Sequence, residues 1–292
     1  RMIIGSKRVG IGQPTYIVAE GGINHNGDME IAYKLVDAAA EAGATAIKFQ
    51  KRTPRLSTPR AEWDKVRDTP WGLLSYIEYR EKIELDITEH ARLMKHAHSL
   101  GLGFIDSVWD MQSLADVISI GVDAIKIPSA MLTNIGLIES SLVAFRPVIL
   151  STGMSTAEEI STTISAAVDK AESKSLAVLH CTSTYPCDPA ELNLLAIMGL
   201  QLKYPNLVIG YSNHSPGIIA AVSAVTLGAK IVEAHITLDR TAWGTDQAAS
   251  IEPGGFKRMV DYIRTTEKSL GDGEKVVYDS ELPNLRKLRG TV

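Results

Sequence analysis

Eight times along this chain a short run rich in Val, Ile and Ala ends in Ser, Thr, Asn, His, Lys or Glu, and between the runs lie stretches with helical periodicity. The runs fall at 16–20, 45–50, 103–107, 124–129, 147–152, 176–182, 207–212 and 230–236. An apolar run without polar alternation is typical of a parallel strand covered on both faces, and its polar end marks one rim of the sheet. The intervening stretches are MEIAYKLVDAAAEAG, ITEHARLMKHAHSLG, DMQSLADVISIG, TAEEISTTISAAVDKA, AELNLLAIMGLQLKYP, GIIAAVSAVTLGA and one near FKRMVDYIRTTEKSLG. Several open on cap residues such as Asp28, Ser155 and Ser215, and several close on Gly43, Gly101, Gly121 or Gly228. Eight strand–helix repeats in 292 residues have the size and rhythm of an α/β fold of the (β/α)8 TIM-barrel type. A doubly wound open sheet is disfavoured, because no Gly-rich dinucleotide loop follows the first strand.

Composition agrees with one domain over 1–292: 45% hydrophobic and 22% charged residues are ordinary for a compact α/β enzyme. Residues 1–12 read as a hairpin turning at Gly5-Ser6 and plugging the barrel bottom, and 271–292 as a tail. No apolar run is long enough to span a bilayer, and RMIIGSKRVG lacks a signal-peptide core, so no membrane role is expected. Cys181 and Cys187 form no disulfide framework and lack zinc-site spacing, which points to a reducing cytoplasm. A net charge of -4 without a basic block argues against nucleic acid as a partner. The insertion at 52–80, with Trp63, Trp71, Tyr76 and Tyr79, reads as a rim loop or lid.

Catalytic groups in such barrels collect where strands end. The first strand delivers Glu20, the second Lys48 and Gln50, the third Asp106 and Ser107, and the fourth Lys126 and Ser129. The fifth delivers Ser151 and Thr152, and the sixth Thr182 and Ser183, with Tyr185 just beyond. The seventh delivers Ser212, Asn213 and His214, and the eighth Glu233 and His235, with Asp246 in the following loop. Two interior lysines are costly unless an anion receives them; with hydroxyls beside them, that anion is most simply a phosphate or carboxylate. The two imidazoles of His214 and His235 can meet over the mouth and hold a divalent metal.

Structural alternatives stand beside each assignment. Either lysine could extend its stem along the wall and keep its ammonium in water. Glu20 could be a buried partner of Lys48, Tyr185-Pro186 a turn, and Asp246 a turn cap. His90, His96, His98 and His180 read as structural, and two-histidine metal sites also serve hydrolases and oxygenases.

The segments IVAEGGINHNGD, AIKFQ, IKIPSAMLTN, VILSTGMST, HCTSTYP, IGYSNHS, VEAHITLD and GTDQAASIEP follow one another as in the sialic acid synthase family, which the chain resembles from near residue 2 to about residue 270. That family condenses phosphoenolpyruvate with an aldose on a (β/α)8 barrel. The resemblance implies that Glu20 acts at the acceptor sugar as acid/base or hydroxyl ligand. It places Lys48 on phosphoenolpyruvate and Gln50 toward the sugar. It puts Ser107, Lys126, Ser129, Ser151 and Ser212 at the donor's phosphate or carboxylate, and Tyr185 on the acceptor pocket. His214 and His235 match the protein ligands of a manganese or similar divalent ion, with magnesium and cobalt as alternatives. Glu233 and Asp246 match carboxylates that hold water or the sugar, and the family implies a homodimer.

Departures from the family pattern fall on acceptor-facing positions. Met131 replaces an acidic sugar ligand, Ser183 an asparagine, and Ala242-Trp243 an Arg/Lys-Pro pair, which leaves room for a neutral or differently substituted aldose. Family members with sialic acid activity carry a C-terminal antifreeze-like domain, so this chain is expected to be either a shortened form or a single-domain branch. Two other functions stay open: a 3-deoxy-ulosonate synthase using an aldose without an N-acyl group, and a non-catalytic sugar- or phosphate-binding barrel. A metal hydrolase leaves the two interior lysines unexplained.

Overall fold

Both faces of the eight runs are apolar, so each strand needs cover on both sides. In the computed structural model, which describes residues 2–144, 147–170 and 176–290, that cover comes from a closed parallel barrel within a ring of helices. Two short strands come first, β1 (Met2–Ile4) and β2 (Lys7–Val9). The barrel strands β3 (Tyr16–Gly22) and β4 (Ala46–Lys51) follow, and the strands β5 (Val66–Thr69) and β6 (Gly72–Ser75) pair as a hairpin outside the barrel. The barrel continues with β7 (Gly103–Val108), β8 (Ala124–Ile127), β9 (Val148–Ser151), β10 (Leu176–Cys181), β11 (Val208–Asn213) and β12 (Ile231–His235). Each pairs with its sequence neighbour in the barrel, and β12 closes on β3.

The helices are α1 (Met29–Glu41), α2 (Pro54–Ser57), α3 (Tyr76–Ile83), α4 (Ile87–Ser99), α5 (Met111–Ile120) and α6 (Ile135–Ala144), then α7 (Ala157–Lys170), α8 (Ala196–Lys203), α9 (Ile219–Thr226), α10 (Pro253–Leu270) and α11 (Leu282–Arg289). Helix α6 was not legible in sequence, because IGLIESSLVA is apolar on most sides and carries no amphipathic stripe. In the stretch 190–205 the helix is confined to α8, preceded by a single 3-10 turn at Pro189–Glu191. Asp28 caps α1 by accepting the N–H groups of Glu30 and Ile31. Ser155 does not cap α7. Thr156 takes that place, its hydroxyl accepting the Glu159 N–H at 3.2 Å while the Glu159 carboxylate accepts the Thr156 N–H at 2.7 Å. Ser215 bonds the Asn213 side chain instead of capping α9. Gly43, Gly101, Gly121 and Gly228 all adopt positive φ, as helix-ending glycines do.

Alternation along the strands splits the core in two. Outward residues such as Ile17, Ile47, Phe49, Phe104 and Val232 pack under the helices, whereas Val18, Ala46, Ile105, Ala124, Ile149, Leu179 and Ile231 fill the barrel. Met2, Ile4 and Val9 of the β1–β2 hairpin join the inner cluster, so the hairpin seals the bottom. The insertion at 52–80 is ordered on the rim: Trp243, from the loop after β12, meets Trp71 at 5.9 Å and Tyr79 at 5.5 Å between ring centroids. Among the described residues no helix is long and apolar enough to cross a membrane.

Candidate active site

The inward column of each strand changes from apolar to polar toward its C-terminal end, which carries its functional groups to the top of the barrel. Val18 gives way to Glu20, Ala46 to Lys48 and Gln50, Ile105 to Ser107, and Ala124 to Lys126. On the other side Ile149 gives way to Ser151, Leu179 to Cys181, Gly210 to Ser212, and Ile231 to Glu233 and His235. Strand pairing sets their neighbours: Glu20 is in register with Lys48 and His235, Ser107 with Gln50 and Lys126, and Ser212 with Cys181 and Glu233. A bulge between Glu20 and Gly22 locally re-aims the end of β3. Together these side chains line a cavity of about 610 Å³, part of it open to solvent. Ser129, Ser183, Tyr185 and His214 line it too; of the residues to which the family resemblance gave a donor, sugar or metal role only Asp246 is not on the cavity wall, and of the other strand-end candidates Asp106, Thr152, Thr182 and Asn213 are not on it either. Asp246 stands behind the wall, its carboxylate 3.9 Å from His235 Nδ1.

The two lysines differ in their surroundings. Lys48 Nζ lies 2.7 Å from Glu20 Oε2 and 3.5 Å from Glu233 Oε1. Gln50 donates to Glu20 Oε1 at 2.9 Å, and Ser212 donates to Glu233 Oε1 at 3.2 Å. Burial disfavours the charge on Lys48, but Glu20 and Glu233 outweigh it and hold its pKa above the usual range. Contrary to the expectation from sequence, Lys48 needs no external anion, because its counter-ions Glu20 and Glu233 are internal. Among the described residues Lys126 Nζ has only the Ile127 carbonyl at 3.4 Å and Glu233 at 4.0 Å, and burial lowers its pKa despite Glu233. On the same cavity wall Ser151 Oγ is buried without a hydrogen-bond partner among the described residues. Ser129 Oγ accepts the Gly153 N–H at 3.0 Å. A Cβ on Gly153 would fall 2.0 Å from Ser183 Oγ, so glycine is required for this close approach. Burial raises the Glu233 carboxyl, yet Lys126 and Lys48 overcome that and hold it at about 2.

His214 donates Nδ1–H to the Thr182 carbonyl at 2.7 Å, which fixes the tautomer and leaves the Nε2 lone pair to accept the Tyr185 hydroxyl at 2.9 Å. The half-exposed Tyr185 ring stacks on His214 with centroids 4.2 Å apart. His235 is buried, its centroid 5.6 Å from that of His214, and its Nδ1 has no hydrogen-bond partner among the described residues. Burial holds His235 below the ordinary imidazole pKa, which keeps a lone pair free. An unpartnered ring nitrogen on one imidazole, with an anchored second imidazole whose ring centroid is 5.6 Å from its own, fits a divalent ion. Among the described residues no cluster of three or more His, Cys, Asp or Glu is arranged to hold a metal, so the fit is to two protein ligands with the remaining positions open.

Other candidates at the strand ends have structural tasks. Asp106 points outward, one residue out of phase with Ser107, and pairs with buried His90 at 2.9 Å. His96 pairs with Asp37, His98 with Asp123, and His180 with the Leu192 carbonyl. Asn24 binds the Ile236 carbonyl and Ser250, tying the first strand's loop to the last. Met131 packs against the outer core and does not line the cavity, so its side chain does not stand in for a sugar ligand. Trp109, Cys181 and Met154 line the cavity but were missed. Alternation could have found Cys181, in phase with Leu179, whereas Trp109 lies beyond the strand, where periodicity has no force.

The NeuB family model matches residues 35–275. The chain is 38% identical over 290 residues to the N,N'-diacetyllegionaminic acid synthase of Legionella pneumophila, covering 97% of this chain and 81% of that protein. It is 32% identical over 286 residues to the N-acetylneuraminate-9-phosphate synthase of Homo sapiens, covering 97% and 79%. The crystal structure of N-acetylneuraminic acid synthetase from Leptospira borgpetersenii in complex with citrate superposes with a TM-score of 0.85 at 32% identity, over 99% of this chain and 98% of that one. With the family pattern spanning most of its length on the same fold, this chain belongs to the NeuB family.

Proposed function

We propose that the protein condenses phosphoenolpyruvate with an aldose, N-acetylmannosamine or a related hexosamine, to give a sialic acid-like nonulosonic acid and phosphate. The observation that carries this reading is the meeting, at one barrel mouth, of the underused Lys126–Ser151 corner, the Glu20–Lys48–Glu233 network and two inward histidines. The corner, with Ser107, Ser129 and Ser212, takes the donor's phosphate and carboxylate as a preorganised electrostatic cradle. C3 of phosphoenolpyruvate attacks the aldehyde carbon, forming the C–C bond, and the Lys48 ammonium, relaying through the Glu20 carboxylate it pairs with at 2.7 Å, supplies the proton to the former aldehyde oxygen. Water adds to the resulting C2 cation and returns a proton to the Lys48–Glu20 pair, and the tetrahedral intermediate expels phosphate by C–O cleavage, the C2 hydroxyl proton leaving with the phosphate as the ketone forms. Glu233, whose carboxyl Lys126 and Lys48 hold well below the usual range against the effect of burial, stays ionised; it orients the water and stabilises the C2 cation. A divalent ion held by His214 and His235, manganese with magnesium or cobalt as alternatives, would act as a Lewis acid toward the aldehyde.

Gln50, Tyr185 and Asp246 face or back the acceptor side in this reading. Ser183 on the cavity wall favours, as a second reading, a 3-deoxy-ulosonate synthase with a differently substituted aldose. A homodimer belongs to the proposal, supported by the exposed Leu56, Val66 and Leu73 of the rim insertion, and so does a cytoplasmic setting, supported by two free cysteines. The test is phosphate release from phosphoenolpyruvate with manganese and a panel of aldoses, with mass spectrometry of products. Acceptor-dependent release with a new 3-deoxy-ulosonate is expected. Bound donor without release for any acceptor would overturn the reading in favour of a binding barrel.

A further inference from the structure

His214 can offer a metal ion one nitrogen, and a neighbouring side chain uses that same atom. Its Nδ1 is held by the Thr182 carbonyl at 2.7 Å, with Cys181 Sγ at 3.5 Å. Nε2 then carries the only in-plane lone pair of the neutral ring, and the Tyr185 hydroxyl donates to it at 2.9 Å. An imidazole nitrogen binds a divalent ion at about 2 Å along its lone pair, so the ion and the hydroxyl proton need the same electrons. Tyr185 lies against both imidazoles, stacked on His214 with centroids 4.2 Å apart and meeting His235 edge-on at 5.6 Å. It is nevertheless 46% exposed, and among the described residues its hydroxyl bonds nothing but His214. The backbone beside it is anchored, since the Cys187 N–H donates to the His214 carbonyl at 2.9 Å. A turn of the Tyr185 side chain alone therefore frees Nε2.

We propose that the Tyr185 hydroxyl competes with the divalent ion for Nε2 of His214, so that metal uptake turns the tyrosine off the histidine and Tyr185 sets how tightly the ion is held. This rests on the two-histidine metal site proposed above. Tyr185 is a positioning residue in this role: it acts on the metal through His214, and its hydroxyl, once displaced, is a spare donor on the cavity wall. Three roles for the tyrosine predict three different signs for its replacement by phenylalanine, which keeps the stacked ring and removes only the hydroxyl. A competitor lost tightens metal binding, a metal ligand lost weakens it, and a ring that merely packs leaves it unchanged.

The experiment titrates manganese into the wild-type protein and into Tyr185→Phe without substrates, reading the free ion by electron paramagnetic resonance, and solves the crystal structure of the manganese-loaded wild type. Tyr185→Phe should bind manganese about two- to tenfold more tightly, the worth of one neutral hydrogen bond. In the loaded crystal the Tyr185 hydroxyl should stand beyond hydrogen-bonding distance of His214 Nε2. An unchanged Kd, or a weaker one, would overturn the competition while leaving the metal site in place. If Tyr185→Phe does not fold, the loaded crystal decides alone: a hydroxyl still on Nε2 beside a bound ion ends the proposal. Should the wild type bind neither manganese, magnesium nor cobalt, the two-histidine site itself fails and the competition with it, and the condensation is then judged by phosphate release.

Discussion

Replacing Lys126 by methionine asks whether one of the two interior lysines exists for substrate and not for the fold. Its side chain is 3% exposed, and its ammonium faces Glu233 at 4.0 Å and one carbonyl at 3.4 Å. At about 4 Å and an effective dielectric near 20, that attraction is about 4 kcal/mol. Removing an ammonium from water costs several kcal/mol, so the two effects nearly cancel. Methionine fills similar space with neither, and Glu233 keeps Lys48 at 3.5 Å. Lys126→Met should therefore unfold within about 2 kcal/mol of the wild type, on either side of it. Lys48→Met, which strips two carboxylates of a partner at 2.7 and 3.5 Å, should lose about 3–5 kcal/mol. Binding reverses the order of interest: a charge-assisted hydrogen bond from Lys126 to the donor is worth about 1.5–3 kcal/mol, or roughly ten- to a hundredfold in the KM for phosphoenolpyruvate. Urea unfolding and steady-state phosphate release measure the two quantities. A folded Lys126→Met enzyme with KM within about threefold of the wild type, or a stability loss matching that of Lys48→Met, would refute the reasoning.

Three further outcomes follow from the same geometry. Glu233 has a folded pKa of about 2 against 4.5 ordinarily, so its contribution to stability is complete above about 4.5 and fades as pH falls toward 2; urea midpoints across that window should show an acid limb that Glu233→Gln flattens. His235→Ala, and chelation of the wild type, should abolish turnover, with manganese restoring only the chelated wild type; near-normal phosphate release by the variant would remove His235 from the metal site. Trp243→Ala loses the ring contacts to Trp71 and Tyr79 at 5.9 and 5.5 Å and should cost about 1–3 kcal/mol in thermal unfolding. The acceptor KM should rise more than the donor KM; an unchanged acceptor KM would show that the insertion does not shape that side.

Much of the barrel was legible because a parallel strand buried on both faces must be apolar throughout, and its polar end then stands out. Phase along each strand carried the site as well: Lys48, Lys126, Ser151, Ser212 and Glu233 sit in step with the inward apolar residues beneath them. The same phase would have sent Asp106 outward to His90 and brought Cys181 inward. Periodicity was silent where apolar residues occupy the exposed as well as the buried face, as in α6, whose Val143 is exposed while Leu137 and Leu142 are buried, and where local hydrogen bonding chose between neighbours, as between Ser155 and Thr156 for the cap of α7.

Sequence by itself determined which groups exist at the strand ends and, through the period of two, which of them face inward. Tertiary structure decided how they satisfy one another. Glu20 and Glu233 neutralise Lys48 and leave Lys126 underused. The physical reason is that strand phase is a local property of the backbone, whereas charge compensation depends on distances between residues far apart in the chain, which are set only when the barrel closes.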